Sequence, residues 1–410
     1  MKPRILIAMH YMELGGAESA LLGLLMSHDS EKADIDLFIY AHRGELMDYI
    51  PREKVNLLPE VPIYSLLESP IKEVFIKGYR KLAITRLIAR QESILYSKSN
   101  TCHLDNLSCF TFQQNKTVNL LPEINPEIEY DLAISFLTPH YIVLDKVRAK
   151  KKVGWIHTDY TNVFINKEME FNMWRRLDYI ASISEEVSNR FCEVFPMLKS
   201  KIFQIENIIS SKYIHKRAAE FVPQELKSHD NVVYLLSIGR YSHPKRFDEI
   251  GTICRMVVDN LLSLGSTASV KWFVIGYGSK NEEKKILENI AKENVQDIVI
   301  LLGKKTNPYP YINACDIYVQ PSRYEGKSVT VREAQVLCKP VMVSRYPTAS
   351  SQILDGTDGM IAPMESTNFA KELASFILDK SKRTQIINYL SSHDYGNESE
   401  IEKIYKIASE

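Results

Sequence analysis

The 410-residue sequence has no excess of either charge: 51 lysines and arginines stand against 51 aspartates and glutamates. That balance excludes the global basic field that concentrates nucleic acid, and no nucleic-acid partner is expected. Cysteine is scarce. The six present (Cys102, Cys109, Cys192, Cys254, Cys315 and Cys338) include no Cys-x-x-Cys pair, which excludes zinc-ribbon and dithiol redox chemistry and leaves reduced, mostly buried thiols. Long apolar runs are missing too: none approaches the roughly 18 residues of a membrane-spanning helix. The apolar run after Lys2 and Arg4 is too short for a secretory signal and leads into a glycine turn. It reads as the first strand of a cytoplasmic chain that touches a membrane surface at most, so the glycosylation-like triplets at Asn106, Asn115 and Asn397 carry no weight. Tandem repeats and low-complexity tracts are absent. With 45% hydrophobic and 25% charged residues, the chain can build a core in each of two domains of about 200 residues.

What is present is an alternation of short apolar runs with longer helical patterns. Runs at 5–9 and 35–40 flank a glycine pair and a helical pattern over 17–26, in the order strand, loop, helix, strand. Further strands are expected at 132–136 and 153–156, a helix at 184–195 and extended chain at 201–209. The same order restarts with strands at 232–238, 270–275, 298–302, 317–320 and 340–344, and helices near 247–264, 282–293 and 330–337. Alternation on this scale implies α/β architecture with parallel, doubly wound sheets. We expect one Rossmann-like domain over residues 1–209, a polar linker over 210–231, a second Rossmann-like domain over 232–385, and a C-terminal helix over 386–410. Two such domains would face a central cleft, where ligands bind at the carboxyl ends of strands.

Four segments have the residue types for chemistry. Gly15 and Gly16 sit between strand and helix, where the backbone can approach an anion at a helix start, though a plain turn is the alternative; neither they nor Gly276-Tyr-Gly278 complete the dinucleotide fingerprint Gly-x-Gly-x-x-Gly. Arg240 and Lys245 lie on one strand-to-helix loop and can converge on a diphosphate, solvated loop charge being the alternative. The most specific segment runs from Gln320 to Ala334. A strand end, a turn carrying Glu325 and Gly326, and a helix start near Ser328 direct Glu325 and Glu333 toward one pocket, where amides of Gly326, Lys327, Ser328 and Val329 would receive phosphate or sugar oxygens. The alternative is a capped helix with two surface glutamates. Asp34-x-Asp36 lies in an alternating run and reads as strand, not as a metal motif. His157 follows the apolar strand with Trp155. A structural histidine is the alternative there, and no general-base role is assigned to it.

Together Glu325-x7-Glu333, Gly239-Arg240-x4-Lys245, Gly15-Gly16-Ala17-Glu18 and Trp155-Ile-His157-Thr-Asp159 resemble the family 4 retaining glycosyltransferases of GT-B fold, from the first strand to about Lys380. Tyr318-Val-Gln-Pro-Ser-Arg-Tyr-Glu325-Gly-Lys-Ser is most similar to bacterial capsular and exopolysaccharide enzymes of that family. The resemblance implies a nucleotide diphosphate sugar donor, UDP- or GDP-linked, and a lipid-linked or oligosaccharide acceptor, with no cofactor or metal required. It implies that Glu333 holds the donor ribose, Glu325 contacts the donor sugar, and Arg240 with Lys245 neutralises the diphosphate. The amides from Gly326 to Val329 touch sugar and phosphate, His157 faces the donor, and Gly15 with Gly16 leaves room for phosphate and acceptor. Gly303 and Lys304 fall in the segment that contacts the nucleobase, and the C-terminal helix packs back across both domains. Lys327 and Ser328 stand where Phe-Gly is more usual, and Arg246 where glycine is common. Rival readings are a nucleotide-sugar epimerase or hydrolase of the same fold, or a non-catalytic partner subunit. Two basic stretches, residues 71–90 at +5 and 145–152 at +4, suit contact with the inner membrane surface. A helical projection of the first splits its cations between opposite faces, and its apolar residues read as core.

Overall fold

Aliphatic and β-branched runs form strands buried on both faces, as parallel sheets require. In the first half these are β1 (Arg4–Met9), β2 (Asp34–Ile39), β3 (Asn56–Leu57), β4 (Tyr130–Ser135), β5 (Ala149–Ile156), β6 (Tyr179–Ser182) and β7 (Ile202–Gln204). They pair in the order β3-β2-β1-β4-β5-β6-β7, all parallel. The second half repeats the design with β8 (Val232–Ile238), β9 (Ser269–Ile275), β10 (Val299–Gly303), β11 (Ile317–Gln320), β12 (Val341–Ser344) and β13 (Met360–Ala362). Their order is β10-β9-β8-β11-β12-β13, again all parallel. Strand order reverses between β1 and β4 in one sheet and between β8 and β11 in the other; such switch points open a crevice at the carboxyl ends of the strands. The structure, a computed structural model, describes residues 2–99, 105–226 and 231–410. Cys102 and the 227–230 portion of the expected linker lie outside these.

The chain divides into two compact units, Met1–Ile208 with Glu398–Glu410, and Ile209–Asn397. This division differs from the expected boundaries in two places. The stretch read as a linker folds as the helix Ser211–Ala218, capped where Ser210 Oγ accepts from the Tyr213 amide, because Ile214 and Ala218, four apart, are buried in the core of the second unit. The C-terminal stretch is two helices rather than one. Lys380–Ser391 stays with the second unit, whereas Ile401–Ser409 belongs to the first. There Tyr405 OH lies 2.8 Å from His28 Nδ1 and accepts from the Asp29 amide at 2.9 Å, and Lys151 Nζ donates to the Ile407 carbonyl at 2.9 Å. At its amino end, Glu402 accepts from Lys32 at 2.6 Å.

Asp34 and Asp36 lie in β2, and the Asp36 carboxylate accepts from Tyr130 OH and Asn56 Nδ2, each at 2.6 Å. Of the cations at 145–152, Lys150 pairs with Asp131 at 2.7 Å, and Arg148 and Lys152 donate to the Pro126 and Leu144 carbonyls at 3.1 and 2.7 Å. Arg86 of the other basic stretch is buried, its Nη1 donating to the Leu66 and Ser69 carbonyls at 2.7 Å each. Among the described residues no helix is long and apolar enough to cross a membrane.

Candidate functional site

The switch point of the second sheet sets the site. β8 and β11 are hydrogen-bonded neighbours, so the loops leaving them, 239–246 and 321–328, start side by side. Gly239 gives the Lys245 stem room. A Cβ there would stand 3.1 Å from Cδ of Lys245, so the lysine stem runs along the bare backbone of the glycine and carries Nζ to Glu325 Oε1 at 2.6 Å. Ser322 Oγ donates to the same oxygen at 2.6 Å and Gln320 Nε2 at 2.8 Å, and Gln320 is itself held by Tyr318 OH at 2.8 Å. All three donors converge on Oε1. Oε2 of Glu325 has no hydrogen-bond partner among the described residues. Arg240, on the same loop, is exposed, and among the described residues no carboxylate pairs with it.

Loop 239–246 is locked from behind. Arg246 has φ 61°, the left-handed region that explains why glycine suits this position. Its buried guanidinium donates to Glu249 at 2.8 Å and to Ser366 Oγ at 2.6 Å, and also to the Met364 carbonyl. Arg323 extends the lock, pairing with Asp248 at 2.8 Å and Glu249 at 2.6 Å. Arg246→Gly would relieve about 1 kcal/mol of left-handed strain but remove several charge-assisted hydrogen bonds worth more than 1 kcal/mol each. We expect a net destabilisation of about 2 kcal/mol, read as a lower urea midpoint; equal or greater stability would show that the backbone term dominates.

Glu333 projects from the helix Val329–Val336, which begins where loop 321–328 ends. Its Oε1 accepts from Tyr309 OH at 2.9 Å, and burial pushes the carboxyl up to about 7 despite that hydrogen bond. Glu333 too has one anchored oxygen and one without a partner among the described residues. Burial and the charges of Glu325 and Glu333 together push the Tyr318 phenol up, so one side chain senses both carboxylates. The helix-start amides are less open than the sequence implies. Gln352 accepts from the Ser328 amide at 3.0 Å and returns a bond from Nε2 to the Ser328 carbonyl at 2.6 Å, which removes Ser328 from the anion-binding set. Gly326, Lys327 and Val329 are half-buried beside it. Gly303, at φ 67°, ends β10, and Lys304 Nζ lies 4.5 Å from the Tyr277 ring centroid. Gly276 and Gly278 are packing glycines. A Cβ on Gly276 would fall 2.0 Å from the Gly239 carbonyl oxygen, and one on Gly278 would fall 2.6 Å from the Tyr241 carbonyl oxygen.

In the first unit, Gly15 caps the helix Gly16–Ser27, but the room beside it is filled by the chain itself. A Cβ on Gly15 would meet Glu18 Oε2 at 2.2 Å, so the helix's own carboxylate covers the helix start, while the space at Gly16 is open. A phosphate there would have to displace Glu18. His157 follows β5, stacked 5.8 Å from Trp155 and tilted against Phe136 at 4.7 Å. Burial depresses its imidazole to about 3, so the ring is neutral at physiological pH. A hydrogen bond to the Phe136 backbone occupies one ring nitrogen, leaving Nε2 as a buried lone pair with no protein partner. A neutral ring held in this way accepts a hydroxyl hydrogen bond and carries no charge.

Residues 219–392 match the family of glycosyl transferases group 1. Among curated proteins, the chain is 26% identical over 152 residues to a lipopolysaccharide core biosynthesis mannosyltransferase of Rhizobium meliloti, covering 35% of this chain and 41% of that one. It is 24% identical over 210 residues to an N-acetylgalactosaminyltransferase of Campylobacter jejuni whose name specifies a diphospho-undecaprenol-linked substrate, covering 50% and 52%. The chain thus spans about half the length of these relatives. Two solved structures share the fold over their whole length: Anabaena HepE with UDP and glucose (TM-score 0.66, 15% identity, 100% of both chains) and Staphylococcus aureus TarM with UDP and an α-GlcNAc-glycerol (TM-score 0.67, 16% identity, 100% of both chains). Glu325, Glu333 and Lys245 all lie inside the span that matches the group 1 glycosyl transferases, which falls within the second unit, and the chain has the GT-B fold of two Rossmann-like domains.

Proposed function

We propose that the chain transfers a sugar, with retention of configuration, from a nucleotide diphosphate sugar to a lipid-linked glycan in bacterial surface polysaccharide synthesis, at the cytoplasmic face of a membrane. The observation that carries this reading is the pair of half-anchored carboxylates. Glu325 and Glu333 each have one oxygen fixed by protein donors and one open, which suits sugar and ribose hydroxyls that must be oriented by an acceptor already held in place. Cleaving the bond between sugar and diphosphate puts negative charge on the leaving phosphate. Lys245, already at Glu325, and the unpaired Arg240 supply the compensating charge without reorganisation of the fold. The neutral Nε2 of His157 receives a donor-sugar hydroxyl, and the leaving phosphate takes the acceptor proton. Relatives support the substrate classes by analogy, through the UDP named for HepE and TarM and the diphospho-undecaprenol named for the Campylobacter enzyme.

A panel of UDP-, GDP-, ADP- and dTDP-sugars, scored by thermal shift and by nucleoside diphosphate release, tests the reading. One donor is expected to raise the melting temperature, with the shift lost in Glu333→Ala, and product NMR is expected to show the donor's anomeric configuration. No shift with any donor would favour a non-catalytic partner subunit, and turnover to completion without a glycan primer would favour the epimerase or hydrolase.

A further inference from the structure

Seven large apolar side chains stand in solvent between residues 75 and 95: Phe75, Ile76, Ile84, Leu87, Ile88, Ile94 and Leu95, with exposures from 44% to 72%. They belong to the consecutive helices Ile71–Ile76 and Arg80–Ser99. The second of these buries Leu82, Ala83, Arg86, Ala89 and Ser93 and turns its aliphatic residues outward, which inverts the usual amphipathic order. Its exposed face carries Arg80 and Lys81 at one end, Lys98 at the other and Arg90 along its flank. Over 71–99 there are only two carboxylates, and each is held by a lysine: Glu73 by Lys77 at 2.7 Å and Glu92 by Lys116 at 2.8 Å. The helical projection from sequence places Lys72, Arg86 and Arg90 opposite Lys77, Arg80 and Lys81. Because Arg86 is buried and consumed by the Leu66 and Ser69 carbonyls, the surface cations instead frame one aliphatic face.

We propose that this face of Arg80–Ser99, with Phe75 and Ile76, lies in the headgroup layer of an anionic bilayer, the aliphatic row among the acyl chains and Arg80, Lys81, Arg90 and Lys98 on lipid phosphates. This deepens the membrane contact of the proposed function by naming the surface that makes it. The exposed row from Ile84 to Leu95 is about 17 Å long at 1.5 Å per residue, enough to lie along a membrane surface and too short to span one. Apolar patches of this kind on soluble chains mark interaction surfaces. The charge pattern selects the partner here: a second copy of the same basic face would meet it cation against cation, whereas anionic lipid complements it.

Co-sedimentation of the full chain with vesicles distinguishes the cases. Vesicles of equal parts phosphatidylglycerol and phosphatidylcholine are expected to bind roughly tenfold or more tightly than phosphatidylcholine alone, with the difference falling at high salt. Leu87→Glu with Leu95→Glu is expected to abolish sedimentation. Lys81→Gln, Arg90→Gln and Lys98→Gln together are expected to weaken it by about fivefold per cation, with melting temperature and nucleotide-sugar shift unchanged in both variants. Equal sedimentation of wild type and variants, or none with either vesicle, overturns the proposal. A concentration-dependent dimer that Leu87→Glu/Leu95→Glu dissolves also overturns it and assigns the face to a second copy. The nucleotide-sugar shift, read on the same samples, reports separately on the transfer reading, so vesicle binding without it would leave this surface standing and sink the other.

Discussion

Lys245→Ala is expected to lower kcat by about 10² to 10³-fold while changing KM little, the loss typical of removing one preorganised group that faces developing charge. The structure ties this expectation to geometry. The Lys245 stem lies against Gly239, where an added Cβ would stand 3.1 Å from Cδ, and reaches Glu325 at 2.6 Å, so its ammonium is placed before any donor arrives. Glu325 retains Ser322 and Gln320 as donors in the variant, and with the pair only partly buried the fold should lose no more than about 1–2 kcal/mol. Lys245→Arg should not restore turnover, because a planar fork does not reproduce a single ammonium on a stem pressed against Gly239. Pre-steady-state release of nucleoside diphosphate separates this effect from a slower later step. A kcat within a factor of two or three of wild type would remove Lys245 from the reacting diphosphate.

The second large effect is a dependence on pH located at Glu333. Its folded carboxyl sits at about 7, raised from 4.5 by burial, so the folded state holds a proton that the unfolded chain has released. Stability therefore falls as pH rises from about 4.5 to 7 and levels off above, by an amount on the order of 3 kcal/mol. Glu333→Gln should remove this slope and be relatively more stable than wild type at pH 8, though not at pH 4.5. Donor binding should run the other way, since ribose hydroxyls donate to the ionised form. Affinity for the intact nucleotide sugar, whose diphosphate diester does not titrate in this range, is expected to rise as pH rises through 7. Glu333→Gln should bind about tenfold or more weakly at pH 8, with little dependence on pH. Calorimetry in two buffers of different ionisation enthalpy would detect proton release on binding by the wild type. A wild-type affinity flat from pH 5.5 to 8 would mean that Glu333 does not meet the ribose.

Strand positions were legible wherever burial on both faces leaves an unbroken aliphatic run, and β8 and β11 lie at the residues their composition marks, 232–238 and 317–320. The loop chemistry was legible in part, because Glu325, Glu333 and Lys245 have recognisable spacing. Their partners were not. The Lys245–Glu325 bond joins residues 80 apart, the Gln352 bonds to Ser328 join residues 24 apart, and both depend on loop conformation rather than on any period. The helix Ser211–Ala218 carried a readable signal, a serine cap followed by Ile214 and Ala218, but polar neighbours concealed it. The outward aliphatic face of Arg80–Ser99 was unreadable for a deeper reason. Periodicity finds a stripe but does not say which side faces water, and here a buried arginine marks the inner side.

The return of Ile401–Ser409 to the first unit bears on synthesis. In chain order the second unit is an uninterrupted stretch, 209–397, inserted within the first, and its sheet can close as soon as it leaves the ribosome. The first unit is still incomplete then: Tyr405, which accepts from its Asp29 amide and meets His28, is made 376 residues after Asp29. During translation the half with the exposed aliphatic helix therefore waits, incomplete, for Ile401–Ser409, and misfolding or capture by chaperones should concentrate there rather than in the second unit.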